Sequence, residues 1–578
     1  MGATVLSGLS DLRPALTAAR SFVLNTFEVN DNFVYTVGDH SLKFGGMIRW
    51  YQLNANSPLL TDGAFFFGPG VPGLLQGGTL LLAPQPGTDF YRNIRQKLYG
   101  FYVQDDWKVR PNLTLNLGLR YEPISTPTEA NGKDVNFRNF TDTTSSPAPY
   151  IDNPSYKNFG PRVGFAYDPT GDGRWAVRGA FGVFYSAILP MRYRFQISAV
   201  PPFANLVAVP PLRPDCAFPS TFNCLGGITF PLGMRWNTEW HAEQPTIYQW
   251  NGNVQREISR NLVVQAGYIG SRGVHLETGF TSNVRRDFSI VNGQKFFPGT
   301  GPRINPAFNG IQLLNFNGDA YYHALQLTAT RRYARGLQFQ FAYTWAKSID
   351  TNSATDSVFT NGTVGSDAQD PYDTRAEKGL SDFDVRHNFV ANFLYDLPFG
   401  KNLTGASGKL LGGWSLGSIL NLRSGFPFNV HIGQNFDRAR NGIDNTRSQR
   451  PDMAPGRTYE SAIPGDPSRY VDPTAFVLQP IGFYGNEGRN VLKGPDLKVF
   501  DLTVIKKTAI TERVNIEFRT EVFNLFNHSN FAAPDANNRA IFVGVDANGN
   551  GIVPATFGQL TKTATSSRQI QFGLKFIF

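Results

Sequence analysis

Charged residues are scarce in this chain of 578 residues, at 17% of the total, against about 25% in ordinary soluble domains. The formal net charge is only +9, from 54 Lys and Arg against 45 Asp and Glu. Aromatic residues reach 13%, and Phe alone occurs 48 times. This composition argues against disorder and against a highly charged nucleic-acid binder, so we expect no nucleic-acid partner.

Long uninterrupted apolar runs are also missing. The longest uncharged one, from Ala64 to about Pro86, is broken repeatedly by Gly and Pro, and a membrane-spanning helix needs about 18 apolar residues in a row. We therefore expect no transmembrane helix. The segment from Met1 to Ala19 carries Asp11 and Arg13 and has no continuous apolar stretch, so it does not match a secretory signal peptide.

Cysteine is almost absent. Cys216 and Cys224 are the two in the chain, which excludes a disulfide framework and a zinc site assembled from cysteine. Their separation of eight residues in a Pro-rich segment is compatible with one local disulfide and equally with two free thiols. The sequence leaves both alternatives open.

What the chain does contain is a hydrophobic pattern of period two. From Leu113 to Glu122, Leu and Tyr alternate with polar residues and Gly, as in a strand with one apolar and one polar face. The same alternation predicts further strands around Val163 to Tyr167, Trp175 to Tyr185, Leu337 to Ala346 and Phe389 to Tyr395. Other predicted strands are Asn25 to Val37, Ser41 to Leu53, Arg95 to Trp107, Thr246 to Glu257, Leu262 to Gly270, Ala320 to Arg332, Trp414 to Arg423, Leu497 to Lys507, Arg513 to Phe526 and Gln569 to Phe578.

Strand length and linker length point to a membrane. Many of the roughly fifteen strands have about 10 to 13 residues, where globular strands average about 5 or 6 and a tilted bilayer-crossing strand needs about 9 to 11. Short links, such as residues 38–40 and 333–336, alternate regularly with long links, such as 424–496. Outer-membrane barrels alternate short periplasmic turns with long outer loops in this way. The fold class we predict is all-β, an antiparallel transmembrane β-barrel.

The C-terminal strand carries a more specific signal. Its apolar residues alternate with Gln571, Gly573, Lys575 and Ile577, and the chain ends on an aromatic side chain. This pattern resembles the terminal signal by which the barrel-assembly machinery recognises bacterial outer-membrane barrels. We therefore predict an assembly signal formed by Ile570, Phe572, Leu574, Phe576 and Phe578.

Six sequence segments, in order along the chain, resemble the barrel of TonB-dependent receptors, and they are most similar to the Oar-like branch. They cover Tyr99 to Glu122 (YGFYVQDDWKVRPNLTLNLGLRYE), Asn158 to Pro169, Gln249 to Leu276, Tyr322 to Asp350, Asp382 to Gly400 (DFDVRHNFVANFLYDLPFG), and Gly485 to Pro495 (GNEGRNVLKGP) with Glu521 to Phe531 (EVFNLFNHSNF). The resemblance extends from about Asn25 to Phe578.

The resemblance implies a 22-stranded outer-membrane barrel, an N-terminal plug and a TonB box that contacts the inner-membrane energy-transducing complex. We expect residues 25–578 to be part of such a barrel, with about fifteen strands, and residues 1–24 to be a truncated segment. Signal peptide, N-terminal β-sandwich, TonB box and plug have no counterpart in the sequence. Fifteen strands cannot close a bacterial barrel of even strand number, so we expect a sheet open or strained between its first and last strands, unable to transport by itself.

Candidate chemistry is sparse. The seven His residues show no HxxxH or HExxH spacing, so they do not predict a zinc or haem site. Asp546, Asn548 and Asn550 match the first half of a calcium loop, but Phe557 stands where the bidentate Glu belongs. A Gly- and Asn-rich outer loop is the alternative interpretation. No nucleophile–base constellation, phosphate loop or dinucleotide fingerprint occurs. We expect no enzyme activity and no cofactor.

Three functional interpretations remain: a transport barrel, a surface adhesion or structural barrel whose outer loops bind partners, and an outer-membrane hydrolase. The lack of a catalytic constellation argues against the hydrolase. Transport and adhesion share every feature of the sequence, and a plug with a TonB box upstream would favour transport. The partners we predict are outer-membrane lipid, the barrel-assembly machinery, an unknown extracellular ligand, and the TonB complex through the missing N-terminal part.

Overall fold

The structure is a computed structural model of the whole chain. It describes residues 3–6, 20–58, 64–67, 75, 80–85, 87–209, 232–353, 368–400, 402–433, 436–442 and 449–578. Within these ranges the regular secondary structure is almost entirely β, as predicted.

Fifteen long strands form the framework of the described part. They are β1 (Ser21–Val37), β2 (His40–Asn56), β3 (Tyr91–Arg110), β4 (Leu113–Tyr121), β5 (Phe159–Tyr167), β6 (Trp175–Tyr185), β7 (Thr246–Ser259), β8 (Leu262–Thr281), β9 (Phe308–Ala334), β10 (Leu337–Asp350), β11 (His387–Asp396), β12 (Trp414–Arg423), β13 (Leu497–Ala509), β14 (Asn515–Phe523) and β15 (Gln569–Ile577). Each strand pairs antiparallel with the next one along the chain. The predicted strand order is confirmed.

Several long strands continue past their predicted outer ends, whereas β14 ends at Phe523, before its predicted end at Phe526. β9 has 27 residues, more than twice the 13 expected from the alternation between Ala320 and Arg332. It is longer because its pairing with β8 continues outward, through two register shifts, as far as Thr281 opposite Gln312. The ladder thus projects beyond the thickness of a bilayer, which about 9 to 11 residues suffice to cross. β1 likewise begins at Ser21, four residues before the predicted start.

The two ends of the sheet differ in their connections, as the link lengths predicted. Seven short links join successive hairpins at one end: 38–39, 111–112, 168–174, 260–261, 335–336, 397–413 and 510–514. Seven long links lie at the other end: 57–90, 122–158, 186–245, 282–307, 351–386, 424–496 and 524–568. We call these the short-link end and the long-loop end.

The sheet has one apolar and one polar face. Cross-strand partners share a face, so Phe341 of β10 lies in one row with Ala329 of β9 and Ala391 of β11. This apolar face is largely exposed: Trp345 retains 51% and Phe572 68% of its accessible surface. A protein in water would bury such a continuous apolar surface.

The buried hydrophobic core lies instead in the long loops. One cluster joins residues of the 424–496 and 524–568 loops, including Val430, Val471 and Ile541, each 0% exposed. A second joins the outer ends of β2, β3 and β9 with the 122–158 and 186–245 loops around Tyr150 and Tyr193. The long loops are therefore packed domains with their own cores, which gives them a stability that loop composition alone does not predict.

Short elements decorate the loops. In the described ranges the helices with defined bounds are α1 (Pro190–Ser198) and α2 (Gly405–Leu411), and 3-10 turns lie at Pro154–Lys157, Thr374–Glu377, Pro473–Ala475 and Asn537–Arg539. Short strands are Ala3–Leu6, Ala64–Phe67, Leu80–Pro84, Thr128–Glu129, Leu206–Val209, Leu232–Thr238, Ser289–Val291, Gln294–Phe296, Gly379–Leu380, Pro427–Phe428, Asp452–Met453, Phe476–Val477 and Leu492–Lys493. No helix in the described ranges is long and apolar enough to cross a membrane.

The first and last strands form the edges of this sheet. β1 pairs with β2 and β15 pairs with β14 along their full lengths. Among the described residues, no backbone pairing joins β1 to β15. Nearly every residue of both strands is exposed, in agreement with the expected open junction.

Candidate functional site

A groove lies on the polar face of the described sheet. It encloses about 890 Å³ and is crossed by β2 to β7. Register places its polar residues on one face, because Asn116 of β4, Gly164 of β5, Ala180 of β6 and Asn251 of β7 lie side by side. We call this surface the polar wall; its members are Lys43, Gln104, Asn116, Arg162, Arg178, Gln249, Asn251 and Asn253.

One edge of the polar wall is organised by a single carboxylate. Asp106 of β3 accepts hydrogen bonds from Lys43 Nζ at 2.6 Å, Gln104 Nε2 at 2.9 Å and Asn116 Nδ2 at 2.6 Å. These donors come from three neighbouring strands. Lys43 therefore neutralises the charge of Asp106, and the three hydrogen bonds to this carboxylate hold one edge of the polar wall rigid.

Two arginines in the centre of the wall lack such a partner. Arg178 Nη1 donates to the neutral Gln255 Oε1 at 3.2 Å, and the guanidinium of Arg162 lies 4.5 Å from the centroid of the Phe184 ring. No carboxylate among the described residues forms an ion pair with either arginine. The wall thus presents two positive charges and several amides to the space beside it, a surface suited to anionic or hydrogen-bonding groups.

The long loops are tied to the outer ends of the strands by a buried ionic cluster. Arg450 donates to Glu377 through both guanidinium nitrogens, at 2.8 and 3.0 Å. Arg489 forms an ion pair with Asp350, donates to the Glu377 carbonyl at 2.8 Å, and has Asp382 at 3.8 Å. We call these five residues the rim latch. Four of them, Glu377, Arg489, Asp350 and Arg450, are buried. Their charges are therefore stabilised by one another and not by water.

The rim latch gives a physical role to strings that the sequence analysis used only for family resemblance. Arg489 belongs to GNEGRNVLKGP, Asp382 opens DFDVRHNF, and Asp350 ends the string that begins at Tyr322. Asn490 joins them further by donating to Leu380 O at 2.7 Å and Asp382 Oδ1 at 2.5 Å. The rim latch was not predicted as a site from the sequence. The signal that could have indicated it is the density of polar residues in these strings at the strand ends.

The GNEGRNVLKGP string also contributes a carboxyl group that is buried without a full set of partners. Glu487 is 2% exposed; its Oε1 accepts from the Val430 N–H at 3.4 Å, and its Oε2 has no hydrogen-bond partner. Burial raises the pKa of Glu487 well above its ordinary value, although Arg450 opposes the shift. The pKa of Arg450 is raised, because Glu377 and Glu487 outweigh the lowering effect of burial.

Arg235 anchors the other half of the loops. It is fully buried, stacks 3.9 Å from the Phe137 ring centroid, and donates to the carbonyls of Asp142 at 2.9 Å and Phe140 at 3.2 Å. Burial lowers its pKa to about 10, so it remains a cation at neutral pH. Its contacts are internal to the loops, which makes it a structural residue.

Aromatic and His side chains mark both rims of the apolar face. At the short-link end, His40 stacks on Trp107 at 5.2 Å, Arg256 lies 4.6 Å from the Trp175 ring, and Trp414 begins β12. Towards the long-loop end, the hydroxyls of Tyr268 and Tyr343 lie 2.7 and 2.8 Å from His323 Nδ1 and His387 Nδ1, and His387 pairs with Trp345. Such girdles are typical of strands that cross a bilayer.

The residues of the predicted assembly signal lie on the last strand as expected. Ile570, Phe572, Leu574 and Phe576 belong to the apolar face of β15 and are more than half exposed, and Phe518 of β14 stacks on Phe572 at 6.2 Å. Phe578 follows the strand and is 91% exposed. Their recognition by the assembly machinery stays a prediction.

The calcium-loop residues lie at a hairpin tip of the 524–568 loop. Asp546 Oδ1 accepts the N–H groups of Asn548 and Asn550, both at 2.9 Å, and Gly549 has φ +82°. The backbone hydrogen bond from Asn550 is the main cause that lowers the pKa of the exposed Asp546. Phe557 is buried in the loop core. The carboxylate thus closes an Asx turn, and calcium binding stays a prediction.

The cysteines lie outside the described residues, and their pairing therefore stays open. Within the described ranges, no group of three or more His, Cys, Asp or Glu side chains is arranged to hold a metal ion.

Together these features define a class. An antiparallel meander that exposes an apolar face between two aromatic rims, lines its other face with polar groups and alternates short turns with long loops is built to cross an outer membrane. Its apolar face contacts lipid and its polar face lines the lumen.

The chain belongs to the outer membrane beta barrel domain family, whose model matches residues 8–571. It is an outer-membrane protein. No curated protein matches it in sequence. Similar solved structures include the outer membrane transporter YddB from Escherichia coli (10% identity, TM-score 0.48) and the siderophore receptor PirA from Acinetobacter baumannii (11%, TM-score 0.45). The matches cover 96% of this chain and 54% and 55% of those chains, so the chain spans about half their length.

Proposed function

We propose that this chain is part of the barrel of a TonB-dependent receptor of the Oar-like type, whose full-length protein takes up or exports a ligand by energy-coupled transport. The observation that carries the proposal is the polar wall beneath the packed outer loops. A barrel that serves only as an anchor has no need of a cationic, amide-rich lumen, whereas a transport path needs groups that replace the hydration of the solute.

The polar wall favours a ligand with anionic or hydrogen-bond-accepting groups. Among the residues that the structure describes, no carboxylate forms an ion pair with Arg162 or Arg178, and Gln249, Asn251 and Asn253 add amide groups beside them. The guanidinium groups offer several donors to one carboxylate or phosphate. We propose that the wall contacts either the ligand or the domain that carries it through the lumen.

The remaining partners follow from this role. Outer-membrane lipid covers the apolar face, the barrel-assembly machinery recognises β15, and the long loops bind an extracellular ligand. Coupling to the TonB complex requires a plug and a TonB box.

We further propose that the chain is not an enzyme, because no motif in its sequence supplies a nucleophile with its base. A surface adhesion barrel is the alternative, since adhesion requires the same loops but no lumen chemistry.

The test compares solute depletion from the growth medium by cells with and without the full-length receptor that contains this chain, each with and without a protonophore. Transport predicts solutes that disappear only when the protein is present and the membrane is energised. Arg162→Glu with Arg178→Glu should reduce this depletion, while Arg162→Lys with Arg178→Lys, which keeps the charge, should retain most of it. Identical media from all cultures would contradict transport, and surface binding insensitive to the protonophore would support adhesion.

A further inference from the structure

One connection at the short-link end differs from the other six. The 397–413 link has 17 residues and contains helix α2, whereas the others have two to seven. It contains two lysines and no Asp or Glu. A turn that only reverses the chain does not need a helix.

The link is a compact loop with a defined shape. Its ends are joined by a hydrogen bond from Leu397 N–H to Trp414 O at 2.8 Å. Gly400 packs against Gly412 so closely that an added Cβ would lie 2.5 Å from the Gly412 nitrogen, and Gly400 has φ +69°. The closed ends therefore present α2 in one orientation.

The end of α2 is fixed to the apolar face of the sheet. Trp414 Nε1 donates to Leu410 O at 3.1 Å, and Lys506 Nζ donates to Lys409 O at 2.6 Å and to Gly412 O. Trp414 pairs with Lys506, which pairs with Phe518, which pairs with Leu574 of the apolar face. The link thus folds over the lipid-facing side of the sheet and not over the lumen.

The link carries exposed apolar side chains at this place. Leu410 is 70%, Phe399 65%, Leu411 50% and Leu403 47% exposed. They continue the apolar face beyond the Trp414 girdle, at the level where short turns meet the periplasmic boundary of the membrane. Such side chains beside Trp and Lys are typical of segments that lie in a membrane interface.

We propose that the 397–413 link is a membrane-surface anchor, which seats Phe399, Leu403, Leu410 and Leu411 in the phospholipid leaflet on the periplasmic side of the outer membrane. Its occupant is the lipid surface because the link adjoins the lipid-facing band. Lys409, exposed beside Leu410, and the absence of acidic residues from the link suit anionic phospholipid headgroups. The anchor fixes the position of the barrel along the membrane normal at the 397–413 link.

The test places an environment-sensitive fluorophore on the anchor. The protein, expressed in the outer membrane and purified, carries Cys216→Ser and Cys224→Ser, with Leu410→Cys as the labelling site. It is reconstituted in vesicles of phosphatidylethanolamine and phosphatidylglycerol that contain a lipid with a doxyl quencher near its headgroup. A label at Glu512→Cys, in the 510–514 link at the same end, is the matched control.

The anchor predicts that the Leu410→Cys label loses fluorescence to the doxyl lipid and is protected from aqueous iodide, while the Glu512→Cys label shows the reverse. Only protein with heat-modifiable gel mobility is counted, which removes unfolded material. A label at Leu411→Cys should repeat the Leu410→Cys result, because both side chains are exposed at the C-terminal end of α2. Adding Lys409→Glu should weaken the doxyl quenching most in vesicles rich in phosphatidylglycerol. Labels at Leu410→Cys and Leu411→Cys that are open to iodide and unaffected by doxyl lipid would overturn the proposal.

Discussion

Substituting Glu377→Ala should release the outer loops from the ends of the strands. Glu377 is 2% exposed and accepts both guanidinium bonds of Arg450, together with the Gln369 N–H at 3.0 Å. Its removal leaves the Arg450 charge buried in the loops. Breaking a buried ion pair by removing one partner costs about 3 to 5 kcal/mol.

That cost should appear as local opening of the outer loops, because the fifteen-stranded sheet does not depend on the rim latch. A loss of about 3 to 5 kcal/mol raises the population of the open loop roughly a hundredfold to a few thousandfold. Hydrogen exchange of the backbone amides of residues 368–381 and 485–492 measures this population. Amides in the ladder between β10 and β11 serve as the internal reference and should keep their protection.

Two further variants make the experiment decisive. Lys493→Ala removes an exposed ion pair with Asp496, 2.8 Å long and 60% exposed on the lysine side, and should cost no more than about 1 kcal/mol. Glu377→Ala combined with Arg450→Met should recover part of the lost protection, because the unpaired charge is gone. Equal amide protection in Glu377→Ala and Lys493→Ala protein would refute the reasoning.

Three other expectations follow from the same structure. Because burial raises the pKa of Glu487, its contribution to loop stability is complete below the ordinary Glu pKa and is lost as pH rises through the raised value; Glu487→Gln should therefore raise the denaturant midpoint of the loops near about pH 8 and change it little near about pH 5, and equal shifts at both values would contradict this. Leu574→Arg on the lipid face of β15 should destabilise the inserted protein by about 2 to 4 kcal/mol, whereas Lys575→Gln on the lumen face should not; equilibrium refolding into vesicles distinguishes them. Phe578→Asp should slow insertion in an assembly assay while changing equilibrium stability by only about 0 to 1 kcal/mol, and an unchanged rate would count against a recognition role for the C-terminal residue.

Some of the architecture could be predicted from the sequence for a local reason. Successive side chains of a strand point to opposite faces, so the alternation around Leu113 to Tyr121 predicts a strand wherever the partner strands lie. Link lengths then predicted which end faces outward. Some outer ends were predicted too short, as in β9, because the pairing that extends this strand depends on β8.

The long loops were beyond this reasoning. Their sequences contain many Gly, Pro and polar residues, and nothing local indicates that Val430, Val471 and Ile541 meet in one buried cluster. Calcium-loop spacing at Asp546 likewise could not show that its carboxylate closes its own turn. In both places the outcome is decided by contacts between backbone and side chains that spacing does not encode.

By itself, the sequence determined the strands, their order, their apolar and polar faces and the two unlike ends of the sheet, because period-two alternation is a property of the backbone pleat. Only the tertiary structure decided that Arg450 meets Glu377, 73 residues away, and that the 397–413 link folds onto the lipid-facing side. Those contacts depend on how distant segments pack and on which charges lose their water. Free energies of that kind arise only after the chain has been brought together.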